Sequence, residues 1–383
     1  MDDSHLDRIA RTLGSHFNRR RLAEGGAVLA LTLLSPWTGV AAGKNKHSHD
    51  RNKNEKRKSE TFCLDGQNVQ ANGKKRKRRL FKRGAIRGAC GCIPQCDFIS
   101  CGGSHGCGGP CGCKDNAVCD QGTCRACTVV CSGTGAECGA ALQDALAGGG
   151  TVVACPGRYA GNFTTKLPFT LIGAGGGDDQ WVDTILDAQG DGHVLEITTN
   201  NAITASLHGV HLTGGKIGLD LGAGLRMFGG GNLTIDDCSI TNNASLELGG
   251  GIATNAAVSI RNSRVVGNSS MGGGGMFLQG PTAEIRNTLI AGNSAIGVGG
   301  GIRSQMTSIT FVASAIDGNS ASDVGGGLCS VDGSVIFDSD SSVTNNAADN
   351  GAGGIFHFGA GAVQRNGALI VGNTAPECTG TGC

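Results

Sequence analysis

An asparagine three residues after an aliphatic side chain recurs six times in the C-terminal half of the chain. The pairs are Ile240/Asn243, Val265/Asn268, Ile290/Asn293, Ile316/Asn319, Val343/Asn346 and Ile370/Asn373, at steps of 25, 25, 26, 27 and 27 residues. A second marker, an aliphatic residue after a glycine run, keeps the same step at Ile252, Met276, Ile302, Leu328 and Ile355. A period of this size means a solenoid, in which each unit buries its apolar face against its neighbours. Ahead of each Asn marker, apolar residues alternate with polar ones, as in Leu233/Ile235, Val258/Ile260, Ala283/Ile285, Ile309/Phe311 and Val335/Phe337. Period two with β-branched enrichment reads as a strand with one buried face. No segment between the Gly, Asn, Ser and Asp punctuation is long enough for an amphipathic helix. Three short strands per coil predict an all-β, right-handed parallel β-helix, with equivalent strands about 4.8 Å apart.

The Asn column is expected to mark a sharp corner, since Asn tolerates the left-handed conformation. Its amides are expected to hydrogen-bond up the stack. The glycine runs Gly249 to Gly251, Gly272 to Gly275, Gly299 to Gly301 and Gly325 to Gly327 supply positive φ or close approach to the next coil. A phosphate-cradling loop would need a following helix, and none is predicted.

Units of the form GGGI (Gly249 to Ile252) and IAGN (Ile290 to Asn293) resemble the repeats of the chlamydial polymorphic outer membrane protein family, with Ile or Val in place of Phe. The resemblance covers about residues 230–375 and implies a β-helix without catalytic residues. The membrane-inserting barrel of that family has no counterpart up to Cys383, so self-secretion is not expected. Upstream, LPFTLIGAG and DTILDA resemble the opening coils of right-handed β-helix proteins, including the pectin methylesterase and pectate lyase superfamily. Alternation without the Asn marker continues from Val194 to Leu221, as at Ile203/Ala205/Leu207. The expectation is nine or ten coils, a rod about 45 Å long. A short amphipathic segment with Ala141, Leu142, Ala145 and Leu146, stopped by Gly148 to Gly150, is expected to cap the first coil. The solenoid with its cap spans 132–383.

Four materials succeed one another along the chain. Residues 1–42 read as an export signal: Arg19-Arg20-Arg21 precedes the apolar stretch Ala27 to Leu34, and Val40-Ala41-Ala42 offers a cleavage site near Ala42. The paired arginines are twin-arginine-like; a general secretory signal or a retained anchor is the alternative. Residues 43–87 hold 16 Lys/Arg against 4 Asp/Glu, including Lys74 to Arg79, and read as a disordered basic linker. An export signal argues against a nucleic-acid role for that run. Attraction to anionic wall polymer or lipid headgroups is the expectation, as a peripheral contact. Residues 88–131 are Cys-rich, and 12 of the 18 cysteines lie between Cys90 and Cys138. Disulfides are the first reading in an exported chain; metal sharing by Cys111/Cys113 and Cys124/Cys127 is the competing one. Cys378 with Cys383 looks like a closing loop, and Cys138 with Cys155 is the expected staple of the cap.

Residues 139–383 carry 19 Asp/Glu against 9 Lys/Arg, so the solenoid is acidic behind an overall charge of +1. An acidic rod repels pectate-like polymers unless calcium or local basic residues intervene, and no motif indicates calcium or another cofactor. Outward candidates for chemistry are Asp236, Asp237, His208, His211, Asp178, Asp179, Arg261, Arg264 and Arg286. Asp236 and Asp237 are adjacent, so in a strand they face opposite ways, and with Ile235 inward Asp237 must sit in a bend. They cannot alone make the carboxylate pair of a glycosidase. His208 and His211 are expected to be solvent-exposed, and Glu284 beside Arg286 makes an ion pair as good a reading as anion binding. The functional expectation is a secreted or cell-surface protein that binds an envelope polymer, an extracellular glycan or a protein, or builds the envelope. The alternative is a polysaccharide lyase, hydrolase or esterase on the same scaffold. The stretch from Asp178 to Asp237, where the period fails, is where function is expected.

Overall fold

The computed structural model describes strands at 60–64, 67–71 and 86–87, then residues 113, 116–120 and 123–383 apart from 121–122, 181–182 and 200. The export signal, the Lys74 to Arg79 run and the cysteines from Cys90 to Cys111 lie outside the described residues. Within the basic segment, Glu60–Leu64 pairs antiparallel with both Gln67–Ala71 and Ile86–Arg87.

The rest is a parallel β-solenoid. Three nine-stranded sheets run its length, from Gly150–Val153 to Val363–Gln364 (first face), Gly157–Ala160 to Leu369–Val371 (second face) and Phe163–Thr165 to Cys378–Thr379 (third face). Nine rungs make about eight turns and a length of about 38 Å. The pairing register stacks like on like: Leu212, Ile240, Val265, Ile290, Ile316 and Val343 form one inward column of the second face. All are fully buried, each stabilising by roughly 1.5–3 kcal/mol. On the first face the column ends in Phe311 and Phe337, whose rings stack at 4.6 Å.

Three strands per coil hold along the whole solenoid, and six coils carry a short fourth one. Six two-residue strands, from Lys216–Ile217 to Ala347–Ala348, form a fourth sheet between the second and third faces. The Asn ladder stands at the corner ahead of it. Nδ2 of Asn243, Asn268, Asn293, Asn319 and Asn346 donates to Oδ1 of the next Asn at 2.8–3.0 Å. The same Nδ2 groups donate to the carbonyl of the rung behind, and each Oδ1 from Asn268 onward also accepts the preceding Asn backbone N–H. Glu377 closes the ladder, its carboxylate accepting from Asn373 Nδ2 at 2.6 Å and from the Gly372 and Asn373 amides.

The ladder Asn is not the left-handed residue. Positive φ belongs to the position before it, at Asn242, Gly267, Gly292, Gly318, Asn345 and Gly372. The left-handed turn aims the following side chain inward, where an amide can bond along the stack. The glycine runs divide the two expected tasks. Gly299 has φ +69°, whereas a Cβ on Gly300 would stand 2.2 Å from the Ser320 carbonyl oxygen.

Helix α1, Gly135–Ala147, covers the first rung. Thr134 and Glu137 form a reciprocal capping box and Gly148 ends the helix. Leu142 and Leu146 are fully buried in the same core as Tyr159 and Phe163. The expected Cys138–Cys155 bridge is corrected: Cys138 pairs with Cys131 and Cys155 with Cys127. Val129 bridges Ala154 in parallel, which brings Cys127 beside the end of the first strand and leaves Cys138 facing the segment just ahead of its helix. Cys113 bonds Cys124, so neither of these nor Cys127 is available for the shared ion considered above. Cys378–Cys383 forms as expected.

Candidate functional site

The outward side chains nominated from sequence fall into two groups. On the first face, His208, Asp236, Arg261 and Arg286 occupy consecutive rungs of one outward column. His208 Nδ1 is 4.0 Å from Asp236 Oδ2, and Asn262 donates to Asp236 Oδ1 at 2.8 Å. Asp237 sits in the bend with φ +52°, so the two aspartates do not act as a pair. Arg286 is ion-paired with Glu284 at 2.6 Å on the exposed surface, a contact worth at most about 1 kcal/mol. Arg261 donates to Ser259. This column is a neutralised stripe.

His211 belongs to the second group and is not exposed, contrary to expectation. It lies on an outward column of the second face, but the glycine-rich segment 173–180 folds over it. Its Nδ1 is 2.8 Å from the Gly177 carbonyl and its Nε2 is 2.7 Å from Thr241 Oγ1. Burial lowers its pKa, more than the Gly177 hydrogen bond and Asp178 raise it, with Arg264 and Arg158 lowering it further. A buried, doubly bonded, neutral imidazole ties the covering segment to the sheet. Arg158 in the same column pairs with Asp187.

The most concentrated chemistry was not nominated from sequence. His193, Glu196 and Asp220 bring one ligand-capable atom each within 4.8 Å of one another, at the corner between the fourth sheet and the third face. His193 Nδ1 is 2.9 Å from the Gly222 carbonyl, and its Nε2 is 3.2 Å from Asp220 Oδ2. Arg226, on the rung after Glu196, donates to Glu196 Oε1 at 2.9 Å. Its Nε stands 3.3 Å from Asp220 Oδ1 but out of line for a hydrogen bond, so that contact is between charges. Partial burial pushes the Asp220 pKa up. The Leu221 N–H, Arg226 and His193 together outweigh it and hold Asp220 below the usual carboxylate range. A step in the spacing could have flagged the corner: Leu195 to its stacked partner Leu225 is 30 residues, whereas Leu225 to Ile252 is 27.

Beside this corner a groove of about 770 Å³ runs along the fourth sheet. Its floor is the column Lys216, Ala244, Ser269, Ser294, Ser320 and Ala347, six rungs spanning about 24 Å. Leu246 and Ile296 also line it and remain 60 % and 68 % exposed. Ser245, another lining residue, donates its hydroxyl to the Asp220 carbonyl at 2.7 Å, which joins the groove to the corner cluster.

Comparisons of the chain with protein-family models, with curated proteins and with solved structures return no match. The polymorphic outer membrane protein resemblance therefore rests on its repeat motifs alone.

Proposed function

We propose that this chain is an exported, surface-associated solenoid that binds an extended, weakly charged polymer, a neutral glycan, along the groove of the fourth sheet. The groove carries the reading. It is straight, six rungs long, floored by small and hydroxylic side chains, and bordered by exposed apolar ones that cover the faces of sugar rings. A pyranose chain advances by about one strand spacing per sugar, so Ser269, Ser294 and Ser320 on three consecutive rungs would meet equivalent hydroxyls. Only Lys216 and Asp349 bring charge to the lining, which disfavours polyanions. Export is supported by the twin-arginine-like leader and by disulfides. The basic segment 43–87 supplies a peripheral hold on anionic wall or headgroups.

A hydrolase reading finds less support. Glu196 and Asp220 are close together, but Asp220 is held below the usual carboxylate range, which disfavours it as a general acid, and Arg226 contacts both carboxylates. The test is retention of the full chain on immobilised neutral and acidic polysaccharides, with Ser294→Trp filling the groove and Thr282→Trp altering the first face. Retention on a neutral glycan, lost in Ser294→Trp and kept in Thr282→Trp, supports the proposal. Retention indifferent to Ser294→Trp, or confined to polyanions, overturns it, as does release of shortened products.

A further inference from the structure

We infer that His193, Glu196 and Asp220 bind one divalent transition-metal ion of the zinc class, independently of any polymer in the groove. The inference starts from the imidazole. A backbone carbonyl can only accept, so the 2.9 Å contact to Gly222 makes Nδ1 the donor. In the neutral ring Nε2 then carries a lone pair, and it faces the Asp220 carboxylate at 3.2 Å. Two acceptors at that distance repel unless a cation stands between them. The cation is either a proton, giving an imidazolium–aspartate pair, or a metal ion.

Three features favour the metal. A ligating histidine ordinarily donates its other N–H to a carbonyl or carboxylate, which fixes the tautomer and raises basicity, and the Gly222 contact does this. Glu196 adds a second carboxylate, and the three ligand atoms lie within 4.8 Å of one another. Ligands about 2.1 Å from a shared zinc ion are roughly 3.4–4.2 Å apart, so closure needs only a small side-chain adjustment. Arg226 contacts Oε1 of Glu196 and Oδ1 of Asp220, and the Leu221 N–H also donates to Oδ1. The second oxygen of each carboxylate is thus left for the ion, while Arg226 takes the place of an outer-shell partner. One nitrogen and two oxygens match zinc-class chemistry and are too few oxygens for calcium. Glu196 stands on the strand Leu195–Thr198, His193 in the loop two residues ahead of that strand and Asp220 in the loop of the next coil, so one ligand is held by a paired rung and two by its flanking loops. Such a site retains open coordination positions beside the groove.

The experiment uses the oxidised full chain, stripped with a chelator and then titrated with zinc by calorimetry and with cobalt(II) by visible absorption. The expected result is one zinc equivalent per chain competing with a cobalt d–d band, with affinity weakened by more than about tenfold in His193→Ala and in the double variant Glu196→Gln/Asp220→Asn. Glu284→Gln, an exposed carboxylate on the first face, should leave binding unchanged. Nitrogen-detected NMR of His193 separates the outcomes. A ring that is an imidazolium at pH 7 and does not respond to zinc overturns the proposal, as does zinc binding equal in His193→Ala and the native chain. Glycan retention repeated on the chelator-stripped chain is read separately from the metal titration, so its failure and the failure of this site are distinguishable.

Discussion

Replacing Asn293 by Ala removes one step of the buried amide ladder, and the structure sets the cost. Asn293 is 1 % exposed. Its Oδ1 accepts the Asn268 backbone N–H at 2.9 Å and Asn268 Nδ2 at 3.0 Å; its Nδ2 donates to the Val265 carbonyl and to Asn319 Oδ1, both at 2.9 Å. Truncation leaves the Asn268 amide N–H and one of its side-chain N–H bonds with nothing to donate to. Each buried orphan costs about 1–3 kcal/mol, so the expected loss is about 4 kcal/mol. For a folded unit of this size that is a fall in Tm of roughly 8–16 °C. Asn293→Asp should be worse, because a carboxylate oxygen would replace Nδ2 against two acceptors. Thr282→Ala, exposed on the first face of the same coil, should change stability by less than about 0.5 kcal/mol. Denaturant midpoints measure the difference, and amide exchange locates it, since coupling in a solenoid runs between neighbouring coils and protection should fall first at Asn268. A midpoint for Asn293→Ala indistinguishable from Thr282→Ala would refute the reasoning, showing that the ladder amides are satisfied equally well in the unfolded chain.

Three further outcomes follow from other buried groups. The hydroxyls of Ser304 and Ser330 are fully buried with no protein partner, so Ser330→Ala should be neutral or stabilising by about 1 kcal/mol, and a clear loss in chemical denaturation would contradict that. Burial pushes the thiols of Cys238 up to about 12 and Cys329 up to about 11, so neither should react with an alkylating reagent at pH 8 until the solenoid is unfolded, as mass spectrometry would register. For His211 the folded pKa lies below the unfolded one, so the unfolded chain binds more protons as pH falls below about 6.5 and stability declines there. His211→Gln should flatten that decline in unfolding curves taken from pH 7 to 4.5, and an unaltered slope would show that His211 is not its source.

How much of this was legible in the amino acids follows from which positions can vary. Ile240, Val265, Ile290 and their kin are inward and stacked, so a polar exchange is costly and the period survives in plain view. The two-residue strands such as Ala244–Ser245 and Ser294–Ala295 escaped notice because Ser and Ala carry neither hydrophobic contrast nor β-branching. The left-handed corner stands one residue ahead of each ladder Asn. The position before each ladder Asn is always Gly or Asn, a restriction that points to positive φ more directly than the Asn itself. Disulfide partners were invisible because Cys127 and Cys155 are brought together by the Val129–Ala154 bridge, not by spacing. His211 reads as exposed in the sequence because its cover, residues 173–180, has too few apolar side chains to announce that it packs on anything.

The corner cluster illustrates a general property of solenoids. His193 and Asp220 are 27 residues apart, a separation that means nothing locally and means adjacency once coils stack. Their meeting depends on the coil that runs three residues long between Leu195 and Leu225, and on Gly215 occupying the place of the first ladder Asn, where its N–H is taken by Asn243 Oδ1. The ladder therefore begins one rung beyond the cluster, and the added residues are spent at Lys216 to Gly224, where they carry Asp220 back to the preceding rung. A regular coil has no slack for that excursion: from Leu225 onward the third-face steps stay at 23–27 residues, and no similar group of His, Cys, Asp and Glu forms among the described residues there. Regularity stabilises the solenoid by repeating inward contacts. The same regularity displays equivalent outward residues at every rung, which suits recognition of a repeating polymer, whereas a site that needs three different ligands at one point requires the period to break.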